Sequence, residues 1–68
     1  MRIVLTKDER LKVLKAVDAG WYYDIEFFRE VTARLPGRLY EIAHNVLSVL
    51  NDEPWRGFND VLNEVLDY

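Results

Sequence analysis

The stretch from Leu39 to Leu50, LYEIAHNVLSVL, limits what this chain can fold into more than any other. Advancing about 100° per residue places Leu39, Tyr40, Ile42, Ala43, Val46, Leu47, Val49 and Leu50 within half the circumference of a helix. Arg38, Glu41, His44, Asn45, Ser48 and Asn51 take the other half. A helix lying on one neighbour needs a narrower apolar stripe. This one must therefore touch at least two other elements, or one element and a second subunit, and the rest of the chain has to be arranged around it.

Taken in order, Arg2-Ile3-Val4-Leu5 is β-branched and too short for a helix. It reads as an extended arm with Ile3 and Leu5 on one side and Arg2 and Val4 on the other. A lone strand is unstable, so the arm must lie across helices or pair with a copy of itself. Thr6-Lys7-Asp8-Glu9 is a capping-box pattern that starts the first helix, with Leu11, Val13, Leu14 and Val17 as its apolar stripe and Gly20 as its stop. Trp21-Tyr22-Tyr23 then reads as an aromatic connection, and Asp24 as the N-cap of a second helix. That helix carries Ile25, Phe28, Val31 and Leu35 inward, Phe27 at the edge of the stripe, and runs to about Arg34. Pro36-Gly37 breaks the chain, with Gly37 free to turn. The hub helix begins at about Gly37 or Arg38 and ends near Asn51-Asp52-Glu53-Pro54, where proline forbids simple continuation. Trp55-Arg56-Gly57 forms a bend, and a last helix turns Phe58, Val61, Leu62, Val65 and Leu66 inward and Asn59, Asp60, Asn63, Glu64 and Asp67 outward. The expected fold is an all-α, compact three- to four-helix bundle with a short extended N-terminal arm, one domain over residues 1–68.

A chain of 68 residues has a small core, and a free-standing domain of this size usually needs a staple. With no cysteine there is no disulfide and no thiolate metal site, and the single His44 cannot build a metal centre by itself. Self-association is the staple left, so a homodimer is expected. The net charge of −3 provides no overall basic field for nucleic acid, and no long apolar run suggests a signal peptide or membrane span. A cytoplasmic protein without membrane partners is expected.

Candidate chemistry is sparse. Glu41-x-x-His44 has the spacing used in di-iron bundles, but the second step and the extra carboxylates are missing. Glu41, His44 and Ser48 share a helix face without a pocket or an oxyanion donor set. No glycine-rich phosphate loop occurs. No enzyme activity, cofactor or metal is expected. The aromatics carry more: Trp21, Tyr22, Tyr23, Tyr40, Trp55 and Tyr68, together with Phe27, Phe28 and Phe58, exceed what so small a core encloses. Some must lie at the surface, where Trp and Tyr serve as contact anchors. Asp60, Glu64 and Asp67 add an acidic ridge on the last helix, extended by Asp52 and Glu53, suited to a basic surface.

Trp21, Tyr22, Tyr23, Trp55, Asp60, Glu64 and Asp67 are accordingly the expected partner-binding residues. The expected function is a non-enzymatic, homodimeric regulatory module that binds and blocks or modulates a partner protein, of the kind a phage or mobile element uses as an accessory factor. The alternative is DNA binding. An extended arm, a helix and a second helix over residues 1 to about 35 resemble ribbon-helix-helix repressors, a likeness that implies paired arms with Arg2, Val4 and Thr6 facing the bases. Val4 cannot hydrogen-bond a base edge, and Trp21-Tyr22-Tyr23 stands where that family has small polar residues. A helix-turn-helix around Ala33 and Gly37 would place Pro36 and Arg38 at apolar packing positions. Clustering of Arg2, Lys7, Arg10, Arg29, Arg34 and Arg38 on one face would favour DNA.

Overall fold

A computed structural model describes residues 2–22 and 25–67, which form four helices and no strand: α1 (Lys7–Tyr22), α2 (Ile25–Thr32), α3 (Gly37–Asp52) and α4 (Phe58–Leu66). The expected all-α bundle is what the chain forms. Tyr23, the Asp24 cap and Tyr68 lie outside the described residues, as does the side chain of Ile25.

The capping box forms as its spacing requires. The Thr6 N–H donates to Glu9 Oε1 at 3.0 Å, and the Glu9 N–H donates to Thr6 Oγ1 at 3.1 Å, so two otherwise orphaned donors are satisfied reciprocally. Arg38 of α3 donates to Glu9 Oε2 at 3.1 Å, which ties the start of α3 to the start of α1. At the other end, a Cβ placed on Gly20 would lie 2.6 Å from Leu47 Cδ1 of α3. The two longest helices therefore run side by side in the same direction. Helix α4 returns from the C-terminal end of α1, where Phe58 meets Trp21 and Tyr22, to the arm, where the Ile3 N–H donates to the Leu66 carbonyl at 2.7 Å. Along the way, Arg10 Nη2 from the first turn of α1 donates to Asn59 Oδ1 at 3.1 Å and Asn63 Oδ1 at 2.8 Å.

The hub expectation holds for α3, which packs on both α1 and α4 and buries Leu39, Ile42, Ala43, Val46 and Leu50. Val13, Ala16 and Val17 of α1, Phe28 of α2, and Val61, Leu62 and Leu66 of α4 complete one core. Ile3 and Leu5 pack against it while Val4 is exposed, so the arm lies across the helices with the expected sidedness.

Three local expectations are corrected. Gly20 does not stop α1: the helix continues to Tyr22, and the glycine sits inside it because α3 comes too close for a methyl group. Leu11 is 59% exposed and not part of the stripe. The buried face of α1 follows Val13, Ala16, Val17 and Gly20, where the small residues admit α3, and Leu11 stands on the opposite side. Helix α2 ends at Thr32, short of Arg34. The buried Thr32 Oγ1 donates back to the Phe28 carbonyl at 2.7 Å, and Pro36 disfavours helix at Leu35. Helix α3 starts at Gly37, where the hub helix was expected to begin. Pro36, extended at φ −54° and ψ 145°, is the cap, and its carbonyl accepts from Leu39 and Tyr40.

Candidate functional site: an aromatic end of the bundle

Trp21 and Tyr22 are in the last turn of α1 and not in a connection, which corrects the sequence reading. They diverge there. The half-buried Trp21 meets Phe58 edge-on, with ring centroids 6.2 Å apart and planes at 79°. Tyr22 is 68% exposed, and its ring meets Phe58 at a tilt of 44°, again with centroids 6.2 Å apart. Phe58, the first residue of α4, thus meets two aromatic side chains from α1, edge to face with Trp21 and obliquely with Tyr22.

Three residues before Phe58 stands Trp55, 77% exposed. The turn that carries it is tied at both ends. The Glu53 N–H donates to the Val49 carbonyl at 2.9 Å, the Arg56 N–H to the Glu53 carbonyl at 3.1 Å, and the Val61 N–H to the Gly57 carbonyl at 3.1 Å. Across the turn, the Arg56 guanidinium bonds Glu64 of α4 and reaches Glu53 Oε2 at 3.4 Å. Glu64 first, then Glu53, holds the Arg56 pKa above its ordinary value. A large, exposed indole is thereby presented from a braced turn.

The acidic ridge of α4 is partly compensated within the chain. Glu64 is bound by Arg56, and Asp67 lies 3.5 Å from Arg2. Asp60 is exposed in the first turn of α4, its carboxylate 3.7 Å from where a Gly57 Cβ would be. Asp52 is exposed at the last residue of α3, a helix with no basic residue in its last turn. Among the described residues neither Asp52 nor Asp60 has an ion-pair partner.

Beside the aromatic cluster, a cleft of about 420 Å³ opens between α1 and α3. Trp21, Phe28 and Leu47 supply apolar walls and His44, Ser48 and Asn51 a polar edge. His44 is exposed, and its ring stacks obliquely on Tyr40 at 6.2 Å, which itself meets Phe28 at 5.8 Å. Glu41, His44 and Ser48 share the exposed face of α3 with no hydrogen bond joining them among the described residues, and no group of three potential metal ligands converges there.

Three of the six basic residues singled out in the sequence are engaged within the chain. Arg2 is paired with Asp67, Arg10 with Asn59 and Asn63, and Arg38 with Glu9, each on a different inter-element contact. The arm is occupied by α4 through Ile3. Among the described residues, no helix is long and apolar enough to cross a membrane. Compared with protein families, curated proteins and solved structures, the chain matches none of them.

The sequence located the aromatic residues but not their division of labour. It missed Arg56, whose partners are three and eight residues away and follow no helical period, and Phe58, which was read only as core.

Proposed function

We propose that the protein is a non-enzymatic binding module that acts by occupying the surface of another protein with the end of the bundle formed by Tyr22, Trp55 and Phe58. The observation that supports this most is Trp55, an indole 77% exposed on a turn braced by Arg56. Exposing that much apolar area contributes nothing to the monomer, whose core closes without it. An indole has few torsions to fix and here stands on a backbone held by its neighbours, so it loses little conformational freedom on contact, which is how binding anchors gain affinity. The same surface is the candidate contact for a second copy of the chain, which would make the module homodimeric.

Trp55→Ala removes an exposed group and should keep the wild-type melting temperature, whereas Tyr22→Ala, which also gives up the ring contact with Phe58, should stay folded with a slightly lower one. Bait immobilised through the exposed polar face of α2 should retain a protein that both variants lose. Retention of the same proteins by wild type and variants would refute the reading. A wild type that sediments as a dimer at micromolar concentration, and a Trp55→Ala variant that sediments as a monomer, would assign the surface to self-association instead.

A further inference from the structure

We infer that the occupant of this aromatic end is a cationic protein segment, one that sets Lys or Arg side chains beside an apolar residue. The inference rests on the proposed binding role of Trp55 and adds the chemistry of the partner. Four carboxylates, Asp52, Glu53, Asp60 and Glu64, lie on the Trp55 turn and the two helices it joins, where Arg56 pairs with Glu53 and Glu64 and the Arg10 guanidinium is held by Asn59 and Asn63. Arg56 is engaged by Glu53 and Glu64, which leaves Asp52 and Asp60 as exposed charges without an ion-pair partner among the described residues, on either side of Trp55 in the sequence.

Asp60 has a local rationale, because a carboxylate in the first turn of a helix is favoured by the helix dipole. Asp52 has none. It stands at the negative end of α3, where the dipole opposes it and no basic side chain in the last turn compensates. A partner's ammonium or guanidinium would relieve that repulsion and could also lie on the Trp55 ring face, where cations are attracted by the ring quadrupole.

The same charges argue against a second copy as occupant. A two-fold contact sets the patch against a second copy of the same patch, so acidic side chains would face acidic side chains. Continuity with the adjoining cleft supplies the apolar half of the partner. Trp21 both touches Phe58 and walls the cleft of about 420 Å³, so a segment lying over Trp55 has a receptacle for one hydrophobic side chain beside it.

The test uses a labelled helical peptide of alternating Lys and Leu faces as probe, with a Glu and Leu peptide of equal length as control, read by anisotropy. Wild type should bind the cationic probe, with affinity falling as salt rises, and should not bind the acidic one. Trp55→Ala should weaken binding about thirtyfold, as loss of a hot-spot aromatic does. Asp52→Asn and Asp60→Asn should each weaken it by up to about fivefold, the scale of an exposed ion pair. A Glu30→Gln and Glu41→Gln double variant, which removes exposed acids elsewhere, should bind as wild type does. Equal weakening by that control, or equal binding of both probes, overturns the inference. Binding that depends on Trp55 but not on Asp52, Asp60 or salt overturns the charge argument alone and leaves the aromatic surface standing. Binding indifferent to Trp55 removes the proposed function as well.

Discussion

Replacing Gly20 with alanine sets two effects of known size against each other. In the interior of an exposed helix, Gly→Ala stabilises by about 1 kcal/mol, because glycine loses more backbone freedom on folding. Here the new Cβ would sit 2.6 Å from Leu47 Cδ1 and 3.0 Å from Phe28 Cδ2. Leu47 is half-buried and can rotate its terminal methyl aside, but the Phe28 ring is buried in the core. Overpacking of this kind costs about 1–3 kcal/mol. The net expectation is a loss of about 1 kcal/mol, a fall of roughly 4–8 °C in melting temperature for a domain of this size. Urea melts of wild type, Gly20→Ala, Leu47→Ala and the double variant close a cycle. Removing the Leu47 branch should recover the part of the alanine's cost that comes from displacing its methyl, while the part set by Phe28 remains, a coupling expected only for residues in contact. If Gly20→Ala instead stabilises the wild type by the full helix-propensity gain, or shows no coupling to Leu47, then the close approach of α1 and α3 is not why the glycine is there.

Other outcomes follow from the same contacts. Val46→Ala and Leu50→Ala, at fully buried positions of α3, should each lose about 2–4 kcal/mol in urea melts, whereas the exposed His44→Ala should be near neutral. Thr6→Ala, which removes the hydroxyl acceptor of the capping box, should lose about 1 kcal/mol. Glu9 is held below its ordinary pKa, first by the Thr6 N–H and then by the Thr6 hydroxyl and Arg38. Its folded value being depressed, its stabilising contribution is present above the unfolded pKa and disappears as pH falls through the folded one. Glu9→Gln should therefore be less stable than wild type at neutral pH, and the difference should shrink on acidification.

Most of the helix boundaries were legible because they depend on neighbours in sequence. Thr6 and Glu9 meet across three residues, and Pro36 and Pro54 act on adjacent backbone, so the starts of α1, α3 and α4 were predictable. Gly20 was not, since a glycine that ends a helix and one that lets another helix approach are the same letter. The choice is made by Leu47, which is remote in sequence. Leu11 was misassigned for a related reason: two apolar stripes compete on α1, and the small residues Ala16 and Gly20 decide which one faces α3. For the candidate site, the excess of aromatics over core volume was readable. That Trp21 would be packed and Trp55 exposed depended on where α4 brings Phe58.

The two ends of the bundle are built differently, and the difference separates stability from binding. At the arm end, polar pairs join one element to another: Glu9 to Arg38, Arg2 to Asp67, and the Ile3 N–H to the Leu66 carbonyl. At the other end the elements meet through rings, and Trp55 and Tyr22 extend beyond what the core encloses. Charge removal at the arm end should thus act on folding alone. Arg38→Ala deletes the tie between the starts of α1 and α3, and an exposed pair of this kind is worth up to about 1 kcal/mol, so its melting midpoint should fall slightly while probe affinity stays at the wild-type value. Trp55→Ala should do the reverse, losing affinity with an unchanged midpoint. Measured on the same preparations, the two variants should dissociate cleanly. If Arg38→Ala weakened binding as much as Trp55→Ala, the aromatic end would not be an independent surface, and its geometry would have to depend on the packing of α1 against α3.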